Sequence, residues 1–387
     1  MHGLLLTAAG FTLLFYLYAT VELVLGSRTI ARLEDIPPFP SPAPPKVSVV
    51  IAACNEARGI EEALTSVLNQ DYPNYEVIAV NDRSTDGTGE ILHRIAQANP
   101  RLKLITIHDL PPAWLGKNNA LYQGAAHASG SFLVFTDADI VMHPSVLSRA
   151  VVYAIDHEVD HLAIAPRAVM KGTLLNAFLG TFALIFNLYV QPWKAKDPNS
   201  AKHIGIGAFN MVRTSVYRSV GGHQQIAMRP DDDMKLAKLL KSAGYRQDFV
   251  IGAALLSVEW YESFSQLVQG LMKNMFASVQ YSVFLAIGGS AAQILIGVWP
   301  FAAIFVTRGW LQILNALIVA TILILFSINA GPAGIRSRYA LTYPLAVLAF
   351  CYILLRSMIV TLWTGGINWR GTHYPLSQLR AKPPLLE

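Results

Sequence analysis

The apolar positions fall into three regions. Residues 4–25 are almost continuously apolar, with Glu22 near the end. A helix of about 20 such residues spans a bilayer. No basic stretch precedes them, so they read as an uncleaved anchor rather than a signal peptide. Residues 37–45 are rich in proline and read as a stiff, extended spacer. From residue 46 the pattern changes to short β-branched runs separated by helically spaced apolar positions. Strands are predicted over 46–53, 75–80, 102–107 and 131–136, and helices over 60–68, 90–98 and 118–128.

Strand and helix in alternation predict a parallel sheet covered by helices on both faces. Ligands of such sheets bind at the carboxyl ends of the strands. Polar residues stand there: Asn55-Glu56, Asn81-Asp82-Arg83-Ser84 and Asp137-Ala138-Asp139. No G-x-G-x-x-G or Walker sequence follows the first strand, which removes dinucleotide and P-loop readings.

The last third is apolar again. Residues 291–306, 311–328 and 340–362 are candidate spans. Residues 272–287 read as an interfacial helix, half of a longer span, or a span of their own. Residues 174–193, interrupted by Asn176, Asn187 and Gln191-Pro192, suit an interfacial helix or a buried core helix.

Composition agrees with this division. Hydrophobic residues make up 53% and charged residues 14%, and the mean hydropathy is positive. That is too apolar for an ordinary soluble enzyme. The formal charge of +5 comes without a basic run carrying interleaved aromatics, so a membrane surface is a better partner than nucleic acid. Cys54 and Cys351 lie far apart, one in each kind of region, which predicts no disulfide. Arg28 and Arg32 after the first span place the following domain in the cytosol. For the C-terminus, Arg370, Arg380 and Lys382 favour the inside while Arg336 and Arg338 pull the other way.

The chemistry lies in four short sequences. Asp137 and Asp139 share one side of an extended backbone, where hard oxygens suit Mg²⁺ or Mn²⁺ bridging substrate phosphates. The alternative is a solvated turn. Asp82 can accept from a base or ribose, or cap the next helix as Ser84 or Asp86 also can. Lys117, beside Gly116, can reach a phosphate or be an exposed lysine at a helix start. Asp231-Asp232-Asp233 opens a helix, which its dipole favours. Three adjacent carboxylates should also raise at least one pKa, as a general base needs.

Taken together, VSVVIAACNE (47–56), VNDRSTDGT (80–88), GKNNA (116–120) and TDAD (136–139) resemble the family-2 glycosyltransferases, whose catalytic domain has the GT-A fold. The resemblance implies an α/β GT-A domain with one N-terminal and about three C-terminal transmembrane helices. It divides the chain into a first span (1–27), a linker (28–45), the catalytic domain (46–265), interfacial and transmembrane helices (266–363) and a basic tail (364–387). Ala53, Asn55, Glu56, Asp82, Lys117 and Asp137 are then expected at the nucleotide-sugar, a UDP-hexose. Asp139 and Asp137 are expected at the Mg²⁺ or Mn²⁺ ion, with Asp139 the direct ligand. An acid pair followed three residues later by an apolar residue, here Leu236, makes Asp233 the base and Asp232 its neighbour. Gly207, Phe209, His223 and Lys273 are expected on the acceptor side.

Processive synthases of this family carry Q-x-x-R-W; here Gln269-Gly270-Leu271-Met272-Lys273-Asn274 stands instead. That departure, and the closing Asn368-Trp369-Arg370-Gly371-Thr372-His373-Tyr374, are similar to the subgroup that glycosylates ceramide-type, hopanoid and carotenoid lipids. The expectation is an inverting hexosyltransferase with a lipid acceptor, integral to the plasma (inner) membrane with its catalytic domain cytosolic. The alternatives are a processive polysaccharide synthase and a non-catalytic nucleotide-sugar-binding membrane protein.

Overall fold

The computed structural model describes residues 2–38, 44–331 and 334–380, so most of the proline-rich spacer and Lys382 lie outside the described residues. The chain forms two compact units. One comprises Met1–Thr29, Met170–Gln191 and Trp260–Ile367; the other comprises Ile30–Val169, Pro192–Glu259 and Asn368–Glu387.

The second unit is built on an eight-stranded sheet. In chain order its elements begin with β1 (Ala31–Arg32), β2 (Val47–Ala53), α2 (Ile60–Leu68), β3 (Tyr75–Asp82), α3 (Thr88–Ala98), β4 (Leu102–Ile107) and α4 (Gly116–Ala126). Then come β5 (Phe132–Asp137), β6 (Ile140–Met142), α5 (Val146–Asp156), β7 (His161–Ala165) and β8 (Arg167–Val169). After an excursion into the other unit follow β9 (Asn210–Arg213), α7 (Thr214–Ser219), α8 (Asp232–Ser242), β10 (Gln247–Ile251) and β11 (Leu256–Glu259). The strand order is β1-β10-β7-β9-β5-β2-β3-β4, and β6-β11-β8 form a small second sheet.

Period-two patterning decides which side chains face which layer. Val47, Val49 and Ile51 pack in one core with Ile60, Leu64 and Val151, while Val50 packs in another with Leu121 and Leu236. The sheet is buried on both faces, as its unbroken β-branched runs predict.

It departs from the parallel expectation at one strand. β9 runs antiparallel to both β5 and β7, with Asn210 opposite Phe135 and Ala163. An antiparallel strand enters where its neighbour ends. The residues just before β9 therefore pass the carboxyl end of β5, and the amide of Asp137 donates to the carbonyl of Gly207 at 3.0 Å.

The first unit holds α1 (His2–Ser27), α6 (Thr173–Val190), α9 (Phe264–Ser278), α10 (Val283–Gly297), α11 (Trp299–Val306), α12 (Trp310–Ala330) and α13 (Tyr343–Thr364). Among the described residues four helical stretches are long and apolar enough to cross a membrane: Gly3–Ser27, Thr173–Lys194, Trp310–Ala330 and Ser337–Thr364. The pair α9 and α10 is a fifth candidate, bent by 112°. The bend has a local cause, because Gln280 and Tyr281 between the two helices both adopt left-handed backbone, at φ 56° and 55°. The stretch over 291–306 is likewise divided, α11 starting afresh with Pro300 in its first turn. Counting the bent pair as one, three long apolar elements follow the catalytic unit, as the sequence predicts.

Residues such as Phe11, Phe284, Phe305, Trp310 and Trp363 are exposed. An apolar surface on this scale suits lipid, and the chain is an integral membrane protein. α6 belongs to this unit, and its face carries Gly180 against Phe326; a Cβ there would lie 2.5 Å from the phenyl Cζ. The chain closes with two short strands, β12 (Gly366–Trp369) and β13 (Thr372–Pro375), and a last turn of helix, α14 (Leu376–Leu379).

Candidate active site

Lys117 is the second residue of α4, and its ammonium lies 2.8 Å from Asp137 Oδ1 and 3.3 Å from Asp232 Oδ1. Burial works against that charge, but Asp137, Asp232 and Asp233 together hold it above the usual lysine range. The end of β5 and the start of α8 thus meet on one cation.

The three adjacent aspartates at the start of α8 diverge. Asp231 faces Arg229 (3.5 Å) and Lys235 (3.3 Å). Asp232 is buried against Lys117. Asp233 accepts from the amide of Gly207 through Oδ2 at 2.9 Å and from the amide of Met234 through Oδ1 at 2.7 Å. Desolvation first, and the Asp232 charge second, push its carboxyl up to about 7. One of the three is therefore raised, as their adjacency predicts, and its pKa suits a general base near neutrality.

Asp139 follows β5 in a crowded cleft. Its surface is open to solvent, yet enough protein surrounds it that desolvation, followed by the charges of Asp137 and Glu56, pushes it up to about 7. Among the described residues no three His, Cys, Asp or Glu side chains form a complete metal cage. The residues present do fit a hard divalent cation that takes its remaining ligands from water and substrate phosphates. Carboxylates held together against their own repulsion are the donors such an ion needs.

The ends of β2 and β3 form the adjoining wall. Ala53 is buried as the last residue of β2. Asn55 turns the chain through left-handed backbone (φ 57°), and its Oδ1 accepts from the amide of Thr85 at 2.8 Å. Asp86 accepts from the amide of Thr88 at 3.0 Å, ahead of α3. Asp82 is thereby left out of helix capping. It is buried and held by the Arg83 guanidinium through two bonds of 2.7 and 3.0 Å. Gly116 makes this possible, since a Cβ there would sit 2.2 Å from Asp82 Oδ2.

Residues 48–221, the stretch that supplies the carboxyl ends of β2, β3 and β5, match the family model described as "Glycosyl transferase family 2". The chain carries a family-2 glycosyltransferase domain. Its GT-A fold is shared with a solved mannosyltransferase from Pyrobaculum calidifontis in complex with GDP-Man and Mn²⁺. The two are 21% identical at a TM-score of 0.54, over 93% of this chain and 99% of that one. In sequence the chain is similar to 4,4'-diaponeurosporenoate glycosyltransferase of Staphylococcus aureus (strain USA300). The identity is 23% over 351 residues, which are 86% of this chain and 89% of that protein.

Within the glycosyltransferase domain, Asp137, Lys117, Asp232, Asp233 and Gly207 come together, with Asp139, Glu56, Asn55 and Asp82 along the adjoining wall. Phe209, His223 and Lys273 were expected on the acceptor side. Phe209 is fully buried in the core. His223 is also buried; its Nδ1 is 2.9 Å from the Tyr217 hydroxyl, and its ring packs edge-on against Phe135. Burial, then Lys117, lowers its pKa to about 3, so this imidazole is neutral. Lys273 lies on α9, in the apolar unit.

Sequence reasoning named Arg83 at a strand end and the closing segment as a subgroup signature, but gave neither a place in the site. The Arg83 guanidinium reaches Thr372 Oγ1 at 3.3 Å, the Tyr374 hydroxyl accepts from the Gly116 amide at 3.2 Å, and Arg370 bonds Asn55 and Glu56. The Arg370-Gly371 turn, both residues left-handed, was the available hairpin signal. No spacing rule connects it to residues more than 250 positions away.

Proposed function

We propose that the protein transfers a hexose, with inversion, from a nucleoside-diphosphate sugar to a lipid hydroxyl at the cytosolic face of the membrane. The observation that carries this reading is the placement of Asp233. It is a carboxylate of raised pKa, tied through one residue, Gly207, to the strand end that carries Asp137.

Asp233 takes the proton of the acceptor hydroxyl as its oxygen attacks the anomeric carbon. The bond from that carbon to the diphosphate oxygen breaks, and its electron pair leaves with the diphosphate. Lys117 stands beside Asp137 to offset the developing charge. Asp139, with Asp137, would hold Mg²⁺ or Mn²⁺, which supplies Lewis-acid stabilisation of the leaving diphosphate. Asp232 keeps Lys117 in place and raises Asp233. Asn55, Glu56 and Asp82 line the nucleotide wall.

Two observations support a lipid acceptor. The domain is joined to an apolar unit with several membrane-length helices, and the S. aureus relative is named for glycosylating 4,4'-diaponeurosporenoate. An acceptor held in the bilayer avoids exposing its chain to water, at about 0.8 kcal/mol per CH₂. The test is mass spectrometry of lipid extracts from cells with and without the protein, followed by NMR of the product's anomeric centre. A hexosyl lipid that appears only with the protein, of anomeric configuration opposite to the donor's, is expected. Retained configuration, or no new glycolipid, overturns the reading.

A further inference from the structure

The closing hairpin bonds the domain at segments already placed on the donor side. Tyr374 is buried, and its hydroxyl accepts from the Gly116 amide at the start of α4. Thr372 Oγ1 accepts from Arg83, the partner of Asp82, at the end of β3. At the turn, Arg370 donates through Nη1 to the Asn55 carbonyl at 3.0 Å and pairs through Nη2 with Glu56 Oε1, just past the end of β2. The charges of Asp82, Arg370, Arg83 and Glu56 all bear on the half-buried Cys54 thiol between them, which burial and then Asp82 raise. Residues from the far end of the chain thus converge on one pocket wall.

We infer that Arg370 is a donor-binding residue whose guanidinium leaves Glu56 for the diphosphate when the nucleotide-sugar binds. This rests on the nucleotide-sugar reading of the preceding subsection. Three observations carry it. First, the hairpin does not need Arg370 as a tether. Tyr374 and Thr372 already fix it, whereas Arg370 is 41% exposed in a pair with a partly exposed acid, and such pairs contribute little to stability. Second, β2 pairs in parallel with β5, Ala52 opposite Asp137, so Glu56 just past the end of β2 lies beside the end of β5. A cation paired with Glu56 therefore stands beside the strand end where the diphosphate is expected. Third, the planar guanidinium fork suits phosphate oxygens better than a lysine does. A donor with two negative charges offers a stronger partner than one solvated carboxylate.

The experiment uses the full chain in detergent micelles and measures binding of uridine, UMP and UDP, with guanosine, GMP and GDP in parallel. Arg370→Ala should weaken diphosphate binding by about tenfold or more, the scale of a lost charged hydrogen bond. It should leave the nucleoside unchanged. Arg370→Lys should fall between the two and guards against misfolding of the alanine variant. In transfer assays the donor KM should rise more than the acceptor KM. Unchanged diphosphate binding in both variants overturns the inference. Equal weakening of nucleoside and diphosphate also overturns it, because it marks a residue that merely holds the hairpin. If neither series binds the wild-type chain, the nucleotide-sugar reading itself falls, and this inference with it.

Discussion

The amide of Gly207 donates to Oδ2 of Asp233 at 2.9 Å, while the carbonyl of the same glycine accepts from the amide of Asp137 at 3.0 Å. One residue therefore spaces the proposed base from the strand that carries the proposed leaving-group site. It has no room to be anything larger, because a Cβ would stand 2.6 Å from Asp137 Oδ2. Gly207→Ala is expected to lower kcat by about 10²-fold, the usual consequence of moving a reacting group by roughly an ångström. Circular dichroism should show an intact fold. Wild-type kcat in this variant would remove Gly207 as the spacer.

Asp233→Asn should reduce kcat by about 10²–10⁴. Asp232→Asn, acting through Lys117, should cost less. For the wild type, kcat/KM should rise with pH on an acid limb centred near 7, as the raised Asp233 carboxyl loses its proton. The same shift has a sign for stability. Below about pH 4 Asp233 is protonated folded or unfolded, and nothing is lost. Between there and 7 the native state binds more protons than the unfolded one, so stability falls as pH rises. Asp233→Asn should therefore raise Tm relative to wild type at pH 8 and leave it level at pH 4. A variant equally stable or weaker at pH 8 would show that this carboxylate carries no such strain.

Asp139→Ala should abolish turnover while leaving Tm within a few degrees, since an exposed carboxylate after a strand contributes little to the core. Chelation with EDTA should do the same, and Mn²⁺ or Mg²⁺ should restore the rate. Full activity in EDTA refutes the metal role.

Glu76 makes the opposite prediction, because it is structural. It sits at the amino end of β3, buried, with Lys103 at 2.6 Å, the Ser129 hydroxyl at 2.7 Å and the Ser48 hydroxyl at 2.8 Å. Burial alone would raise its pKa, but Lys103 and the serines hold it well below the usual carboxylate range. Its contribution is thus complete above the unfolded pKa of about 4.3 and lost as pH falls through the folded value. Glu76→Gln should cost about 1–3 kcal/mol at pH 7 and progressively less in acid, without altering KM. Denaturant titration at both pH values checks this, and a constant difference would rule it out.

The glycosyltransferase domain was legible because its signals are local. Strand ends bear polar residues whose order is fixed, and Asp137 and Lys117 could be nominated from their neighbours, while Asp233 was picked out of its three aspartates by the family's register. What escaped depends on register and distance. The antiparallel entry of β9 puts Gly207 beside Asp137, and no periodicity announces strand direction. His223 follows two glycines, as a flexible loop residue would, yet Tyr217 and Phe135 draw its ring into the core. Residues 272–287 stayed ambiguous because hydropathy records length and not the left-handed pair Gln280-Tyr281 that breaks the helix.

The interleaving of the two units sets an order of events during synthesis. In the sheet, β9 lies between β5 and β7, but in the chain it comes after both and after α6. When β7 leaves the ribosome its seat beside β9 does not yet exist. The nascent chain holds β4-β3-β2-β5 as one partial sheet with an open edge at β5, and β7 waits as an orphan strand. At roughly 5–20 residues per second, the delay while the residues between β7 and β9 are made is a few seconds. An unpaired, apolar strand edge over that interval invites aggregation. Synthesis of the α6 segment is thus a timed step in building the sheet, and slowing it should yield aggregates seeded by the amino-terminal half of the chain.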